Sequence, residues 1–152
     1  MFEKIKEWLV SQSVEFTEVH HKPTRTSEEA AKVRGVDLSI GGKALVLKID
    51  DSFKLFVLSA SKKLDSGALK KYFGAKKLRF ADKDELMEIT GLVPGSIPPF
   101  GKSLVNLELF VDNSIVNNEQ IAFNAGSLTD SIIMSVQDYL KVANPTIIDF
   151  SK

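Results

Sequence analysis

Between residues 94 and 101 the chain reads Pro94-Gly95-Ser96-Ile97-Pro98-Pro99-Phe100-Gly101, and no helix or strand interior tolerates that density of proline and glycine. The stretch must be a loop, so whatever precedes and follows it belongs to separate elements. Glycine allows close approach of the backbone to a neighbouring group, while proline fixes φ and stiffens the segment. The combination suits a rigid wall of backbone dipoles beside a small ligand. The alternative is an ordinary tight connection between a helix and a strand.

The elements on either side bound the fold. Phe2, Ile5, Trp8, Leu9 and Gln12 follow a helical stripe, and residues 14–19 then alternate as a half-buried strand does. Thr26 and Glu29 have capping-box spacing, and Gly35 is placed to stop the helix they would open, over residues 27–34. Residues 44–49 and 53–58 form two strong strand candidates joined through Asp50-Asp51-Ser52, which is turn chemistry. A short helix over 64–72, a strand over 77–80 and a helix from Asp82 to about residue 90 lead into the Pro/Gly loop. Beyond it, 104–111, 120–124 and 131–136 read as strands, and Asp138 begins a terminal helix. The pattern predicts one α+β domain over residues 1–152, built on a mixed, mostly antiparallel, barrel-like sheet surrounded by short helices.

Composition restricts what such a domain does. With 152 residues and 43% hydrophobic content it has enough material for a proper core. Lys plus Arg and Asp plus Glu are each 20, so no global field favours nucleic acid and any RNA contact must be local. There is no cysteine, which removes disulfides, thiolate nucleophiles and Cys-ligated zinc, and fits a reducing cytoplasm. No apolar run approaches a membrane span, and the start carries charges every few residues, so the chain reads as soluble, cytoplasmic and unprocessed. The two histidines, His20 and His21, are adjacent, a poor arrangement for a shared metal, and neither a metal nor another cofactor is expected. They also leave no convincing Ser-His-Asp set.

Four segments carry a resemblance: Gly41-Gly42-Lys43-Ala44-Leu45-Val46-Leu47-Lys48, the run from Ala75 to Asp82, the run from Thr90 to Gly101, and Phe123-Asn124-Ala125-Gly126-Ser127. In this order and spacing the chain resembles the YbaK family, which comprises the prolyl-tRNA synthetase editing domain and its free-standing relatives. The resemblance runs from about residue 14 to 140. It implies a trans-acting deacylase that hydrolyses the ester of mischarged tRNA, most plausibly Ala- or Cys-tRNA for proline. The implied partners are the mischarged tRNA 3′ end and a prolyl-tRNA synthetase or another translation component.

The same resemblance implies a catalytic set of Lys43, Gly95, Pro99 and Ser131. Lys43 opens a central strand where the family has a lysine needed for activity, and its ammonium is suited to hold a phosphate as a point charge. A solvated surface lysine is the alternative. Gly95 and Pro99 match the family's Gly-x-x-x-Pro loop, able to present backbone groups to water and to a developing oxyanion. In the family the substrate's ribose hydroxyl is thought to assist, consistent with the scarcity of side-chain catalysts. Ser131 falls where relatives often carry a polar or ionisable residue such as Asp or His, and is a departure. A serine orients water or substrate but is no base unaided, and Asp130 would face the other way if both lie in a strand. His21, Ser96, Ile97, Pro98, Gly101 and Gly126 complete the set as substrate-binding residues. The rival reading, supported by Ser131, is a catalytically inactive tRNA- or nucleotide-binding module of the same fold. Lys62-Lys63, Lys70-Lys71 and Lys76-Lys77 form a locally basic run suited to acceptor-stem phosphates or simply to solvent. The ten phenylalanines are read mainly as core.

Overall fold

The computed structural model describes residues 1–24 and 26–152. Helix α1 (Phe2–Ser11) buries Ile5 and Leu9, one turn apart on one face. Strand β1 (Thr17–His20) begins later than the alternation suggests, because its antiparallel partner first meets it at Thr17. Helix α2 (Ser27–Arg34) is capped by the Thr26 hydroxyl, which accepts from Glu29 N–H at 3.1 Å, and is followed by Gly35. A 3₁₀ turn over Leu38–Ile40, which the sequence pattern did not suggest, then delivers the chain to β2 (Gly42–Ile49).

Strands β2 and β3 (Ser52–Ser59) form the expected hairpin, with Lys43 opposite Leu58 and Ile49 opposite Ser52. Asp50 occupies the turn at φ +51° and its carboxylate accepts from the N–H groups of Lys76 and Lys77, tying the turn to the chain after helix α3 (Ser66–Phe73). Strand β4 (Leu78–Phe80) leads into helix α4 (Lys83–Thr90), whose capping box pairs Asp82 and Glu85 reciprocally. Strand β5 covers only Leu109–Val111 of the expected 104–111. The reason is local: Leu104 and Val105 N–H turn back onto the Gly101 carbonyl at 3.0 and 2.9 Å, and Asn106 takes φ +55°. Leu104, Val105 and Leu107 are buried, so their apolar character serves the core from a turn.

Helix α5 (Asn113–Val116), also unanticipated, is capped by Asp112. Strands β6 (Gln120–Asn124) and β7 (Asp130–Ser135) follow as expected, and helix α6 (Val136–Ala143) starts two residues before Asp138 because Ser135 accepts from the Asp138 N–H at 3.1 Å. Strand β8 (Thr146–Ile147) closes the order.

The strands make two sheets. One is antiparallel, β1-β7-β6; the other runs β4-β2-β3-β5-β8, antiparallel through β3 and parallel from β3 to β5 and from β5 to β8. A bridge between Gly41 and Ala122 joins them at one corner. The α+β class and the largely antiparallel pairing are those expected, but the sheet is an open pair and not a closed barrel. Alternation along β3 covers both faces of the larger sheet: Leu55 and Val57 pack with Ile5, Leu9, Phe100, Phe123 and Tyr139, while Phe56 and Leu58 pack with Leu47, Ile49, Leu69, Phe110 and Phe150. That leaves the corner between the sheets as the place where α2, the start of β2 and the Pro/Gly loop converge. Among the described residues no helix is long and apolar enough to cross a membrane.

Candidate active site

A cleft of about 480 Å³ opens at this corner. Its walls are Thr24, Thr26, Ser27, Ala30 and Arg34 from the α2 side, residues 41–45 and Ala60 from the β2–β3 hairpin, Pro94, Gly95 and Ile97 from the Pro/Gly loop, and Asn124 and Leu128 beyond β6. Two of these residues, Lys43 and Arg34, are cations, and none is acidic.

Lys43 is half-buried and its ammonium donates to the Lys62 carbonyl at 2.8 Å. Burial lowers its pKa, with Glu28 opposing the shift through its charge. An ammonium held to one backbone carbonyl at a cleft wall keeps two more donors for a ligand. The same contact places Lys62, first of the basic run, next to Lys43.

Arg34 is held more rigidly. Its Nε donates to Ser131 Oγ at 2.9 Å and its Nη2 to Asn124 Oδ1 at 2.8 Å. Ser131 is fully buried, and its hydroxyl also lies 2.8 Å from His21 Nε2. The His21 Nδ1–H donates to the Lys22 carbonyl at 2.9 Å, so in the neutral ring Nε2 accepts the Ser131 proton and leaves the serine oxygen free to accept from Arg34. Asn124 extends the chain: its Nδ2 donates to the Gly95 carbonyl at 2.7 Å. A single network thus runs His21, Ser131, Arg34, Asn124, Gly95. Burial lowers the Arg34 pKa to about 10, which leaves the guanidinium charged at neutral pH. Among the described residues Arg34 has no carboxylate partner.

The Pro/Gly loop divides into a lining part and a buried part. Gly95, at φ +86°, and Ile97 face the cleft. Ser96 is buried and donates to the Val93 carbonyl at 2.8 Å. Pro98 and Pro99 are buried behind the wall, with the Pro99 carbonyl accepting from the Tyr139 hydroxyl at 2.7 Å. Gly101 is packed against the Leu107 carbonyl oxygen, where a Cβ would overlap it. Gly126 lies outside the cleft against the Met1 side chain.

Of the residues singled out from sequence, Lys43, Gly95 and Ile97 line the cleft, and Ser131 and His21 sit behind its wall within the Arg34 network. Ser96, Pro98, Pro99, Gly101 and Gly126 are not in the lining. Ser131, fully buried, reaches the cleft only through its neighbours Arg34 and Asn124, with its hydroxyl 2.9 Å from Arg34 Nε and 3.2 Å from Asn124 Oδ1. Asp130 faces the opposite way, as alternation requires, with one carboxylate oxygen 2.6 Å from His20 Nδ1. Arg34, Asn124, Leu128 and the edge formed by Thr24, Thr26 and Ser27 were not foreseen. Asn124 lay inside a quoted motif, but Arg34 carried no signal beyond being a basic residue at a helix end.

The family model for the aminoacyl-tRNA editing domain matches residues 21–142. The chain is 33% identical over 149 residues to the Multifunctional Ser/Thr-tRNA deacylase ProXp-y of Escherichia coli (strain K12), covering 95% of this chain and 89% of that protein. It is 36% identical over 101 residues to a proline–tRNA ligase of Shouchella clausii (strain KSM-K16), covering 66% of this chain and 18% of the ligase. The crystal structure of hypothetical protein APE2540 superposes with a TM-score of 0.87 at 26% identity, covering 98% of this chain and 99% of that one.

Proposed function

We propose, from the premise that this chain belongs to the aminoacyl-tRNA editing domain family, that it is a free-standing deacylase hydrolysing the ester of mischarged tRNA in trans. The observation that carries the reading is the cleft lining: among the described residues it holds two cations and no acidic side chain, with the Gly95 backbone beside them. An aminoacylated RNA terminus brings anionic phosphates and an ester carbonyl, and such a lining attracts the first while leaving backbone groups for the second. Alignment over 89% of the E. coli deacylase supports action without a fused synthetase.

The chemistry asked of the site is modest. Water attacks the ester carbonyl carbon, negative charge develops on the carbonyl oxygen, and the ribose oxygen leaves with a proton that the water supplied. Lys43, free to move from the Lys62 carbonyl, holds a terminal phosphate, and Gly95 sets the rim against which the ester lies. Ser131, with no exposed surface, does not attack; it orients Arg34.

For the amino acid, the resemblance points to alanine or cysteine on tRNA for proline, and the name of the E. coli relative adds serine and threonine. All four are small, and Thr24, Thr26, Ser27 and Asn124 give the cleft a polar side that suits a hydroxyl. A synthetic site separates such neighbours by only about 1–3 kcal/mol, which is why a second hydrolytic site is useful. The experiment is a panel of tRNAs charged with alanine, cysteine, serine, threonine and proline, with release measured against buffer alone. Accelerated loss of one or more small amino acids, with the matched tRNA spared, is the expected result. Binding of the charged tRNAs without acceleration would overturn the reading in favour of a non-catalytic tRNA-binding module.

A further inference from the structure

Arg34 is a charged group that the deacylase reading above leaves with no substrate contact. Three of its features define what it can do. Its Nε and Nη2 are both committed, to Ser131 and Asn124. Its Nη1 has no hydrogen-bond partner among the described residues, yet no buried side-chain nitrogen or oxygen there is left unpaired, so Nη1 keeps accessible surface on a side chain that lines the cleft. And Nη1 lies 3.7 Å from the point that a Cβ on Gly41 would occupy, at the corner where β2 begins.

The guanidinium is therefore anchored along one edge and offers the other, a fixed donor in a partly dry wall. The second oxygen in this frame is the Gly95 carbonyl, held by the same Asn124 that receives Nη2. Lys43 differs: its long stem and its hydrogen bond to the Lys62 carbonyl suit a mobile phosphate anchor. A donor fixed before the substrate arrives, and needing no rearrangement during reaction, is the arrangement that stabilises developing negative charge.

We infer that the free Nη1 edge of Arg34 donates to the ester carbonyl oxygen of the bound aminoacyl-tRNA as that oxygen becomes an oxyanion, making Arg34 a catalytic residue. The step balances as follows. Water oxygen bonds to the carbonyl carbon, the carbonyl electron pair moves to oxygen, and Arg34 meets that charge. Collapse restores the carbonyl and breaks the bond to the ribose oxygen, which takes up a proton originating from the water. The products are the free amino acid and the tRNA with its terminal hydroxyl. Ser131 and Asn124 are positioning residues that hold the guanidinium. The buried serine found where relatives often carry an ionisable residue then has a use, since a hydroxyl accepts from Arg34 without neutralising its charge.

The inference rests on the deacylase reading, and the test separates the two. Wild type is first assayed on the charged panel, and its fastest substrate is taken into single-turnover measurements with Arg34→Gln, Arg34→Lys and Arg34→Ala. Affinity is measured separately with the same RNA carrying the amino acid through a 3′-amide, which the enzyme does not cleave. Arg34→Gln is expected to lower the saturated rate by about 100-fold or more, while affinity for the amide changes by no more than about threefold. Arg34→Lys falls between. Guanidinium ion at millimolar concentration should restore part of the rate to Arg34→Ala and do nothing for wild type, a response a merely structural arginine would not give. Near-wild-type rates in Arg34→Gln would overturn the inference. So would a defect confined to affinity, which would make Arg34 a phosphate ligand, or an Arg34→Ala protein that guanidinium does not rescue. Absence of any wild-type turnover would instead overturn the deacylase reading, and this inference with it.

Discussion

Gly95→Val tests the place of the loop in the chemistry, because its effects on folding and on turnover separate. Gly95 has φ +86° and a Cβ added there meets nothing closer than Leu128 Cδ2 at 3.5 Å, so a first carbon fits. The cost comes from the backbone: a branched residue held at positive φ loses about 1–3 kcal/mol. For a domain of this size each kcal/mol moves the midpoint by about 2–4 °C, which predicts a fall of about 2–12 °C and a protein still folded at 25 °C. The two γ carbons, however, enter the cleft beside Leu128 and Asn124, where a displacement of about 1 Å is enough to cost about 100-fold in rate. Gly101→Ala provides the contrast. There the new Cβ overlaps the Leu107 carbonyl oxygen and stands 2.9 Å from Leu109 Cβ, so stability and activity should fall together. Lys102→Ala, at an exposed position, should change neither. Initial deacylation rates at 25 °C and thermal melts of the three variants decide the matter. Full activity in Gly95→Val, or a loss proportional to its loss of melting temperature, would refute the reasoning and take the loop out of the site.

Lys43→Ala should abolish deacylation, by about 100-fold or more, with an unchanged far-UV spectrum and melt, since among the described residues its side chain hydrogen-bonds only to the exposed Lys62 carbonyl; unchanged turnover removes Lys43 from the site. Tyr139→Phe leaves the buried Pro99 carbonyl without its donor, so it should cost about 1–3 kcal/mol by urea titration. Asp112 is pushed up by burial but pulled further down by hydrogen bonds from the Phe150 N–H, Ser114 and Ser151, so its pKa lies below the usual 3.8. The folded chain binds that proton more weakly than the unfolded one, hence the stabilisation is complete above about pH 4 and is lost as pH falls through the lower folded value. Asp112→Asn should lower the urea midpoint near neutrality and flatten its acid limb, whereas an unaltered acid limb would rule out Asp112 as its source. Exhaustive chelation should leave the deacylation rate unchanged, because the chain has no cysteine and only two adjacent histidines to offer a metal; zinc-restorable loss on EDTA would overturn that expectation.

The fold was legible wherever local chemistry decided it. The caps at Thr26 and Asp82 are side-chain hydrogen bonds to the next turn, and the 42–59 hairpin follows from two apolar runs joined by aspartates, so each is written within a few residues. What failed was decided at long range. Residues 104–107 have strand composition, but Gly101 folds so tightly against Leu107 that the chain turns there and its apolar side chains reach the core without a ladder. The parallel pairing of β3 with β5, and of β5 with β8, likewise depends on segments more than 30 residues apart along the chain and leaves no turn signal between them.

The site divides along the same line. Lys43 and Gly95 were reachable because strand start and loop are local features and the ordered motifs of a family located them. Arg34 was not, because nothing in the run Ala30-Ala31-Lys32-Val33-Arg34 distinguishes a helix-terminal arginine facing solvent from one whose guanidinium crosses to Ser131, 97 residues away. Its meaning appears only when β6 and β7 bring Asn124 and Ser131 opposite each other in register. The departure at 131 and the unforeseen arginine are then two ends of one arrangement. A carboxylate at 131 would pair with Arg34 and neutralise it, while a histidine there would compete with His21 for the same buried space. The hydroxyl instead leaves the positive charge intact at the cleft wall. Replacing Ser131 by Asp should accordingly cost more activity than replacing it by Ala, because the alanine only loosens Arg34 whereas the aspartate occupies it. Equal rates in the two variants would mean that the charge of Arg34 is not what the buried serine preserves.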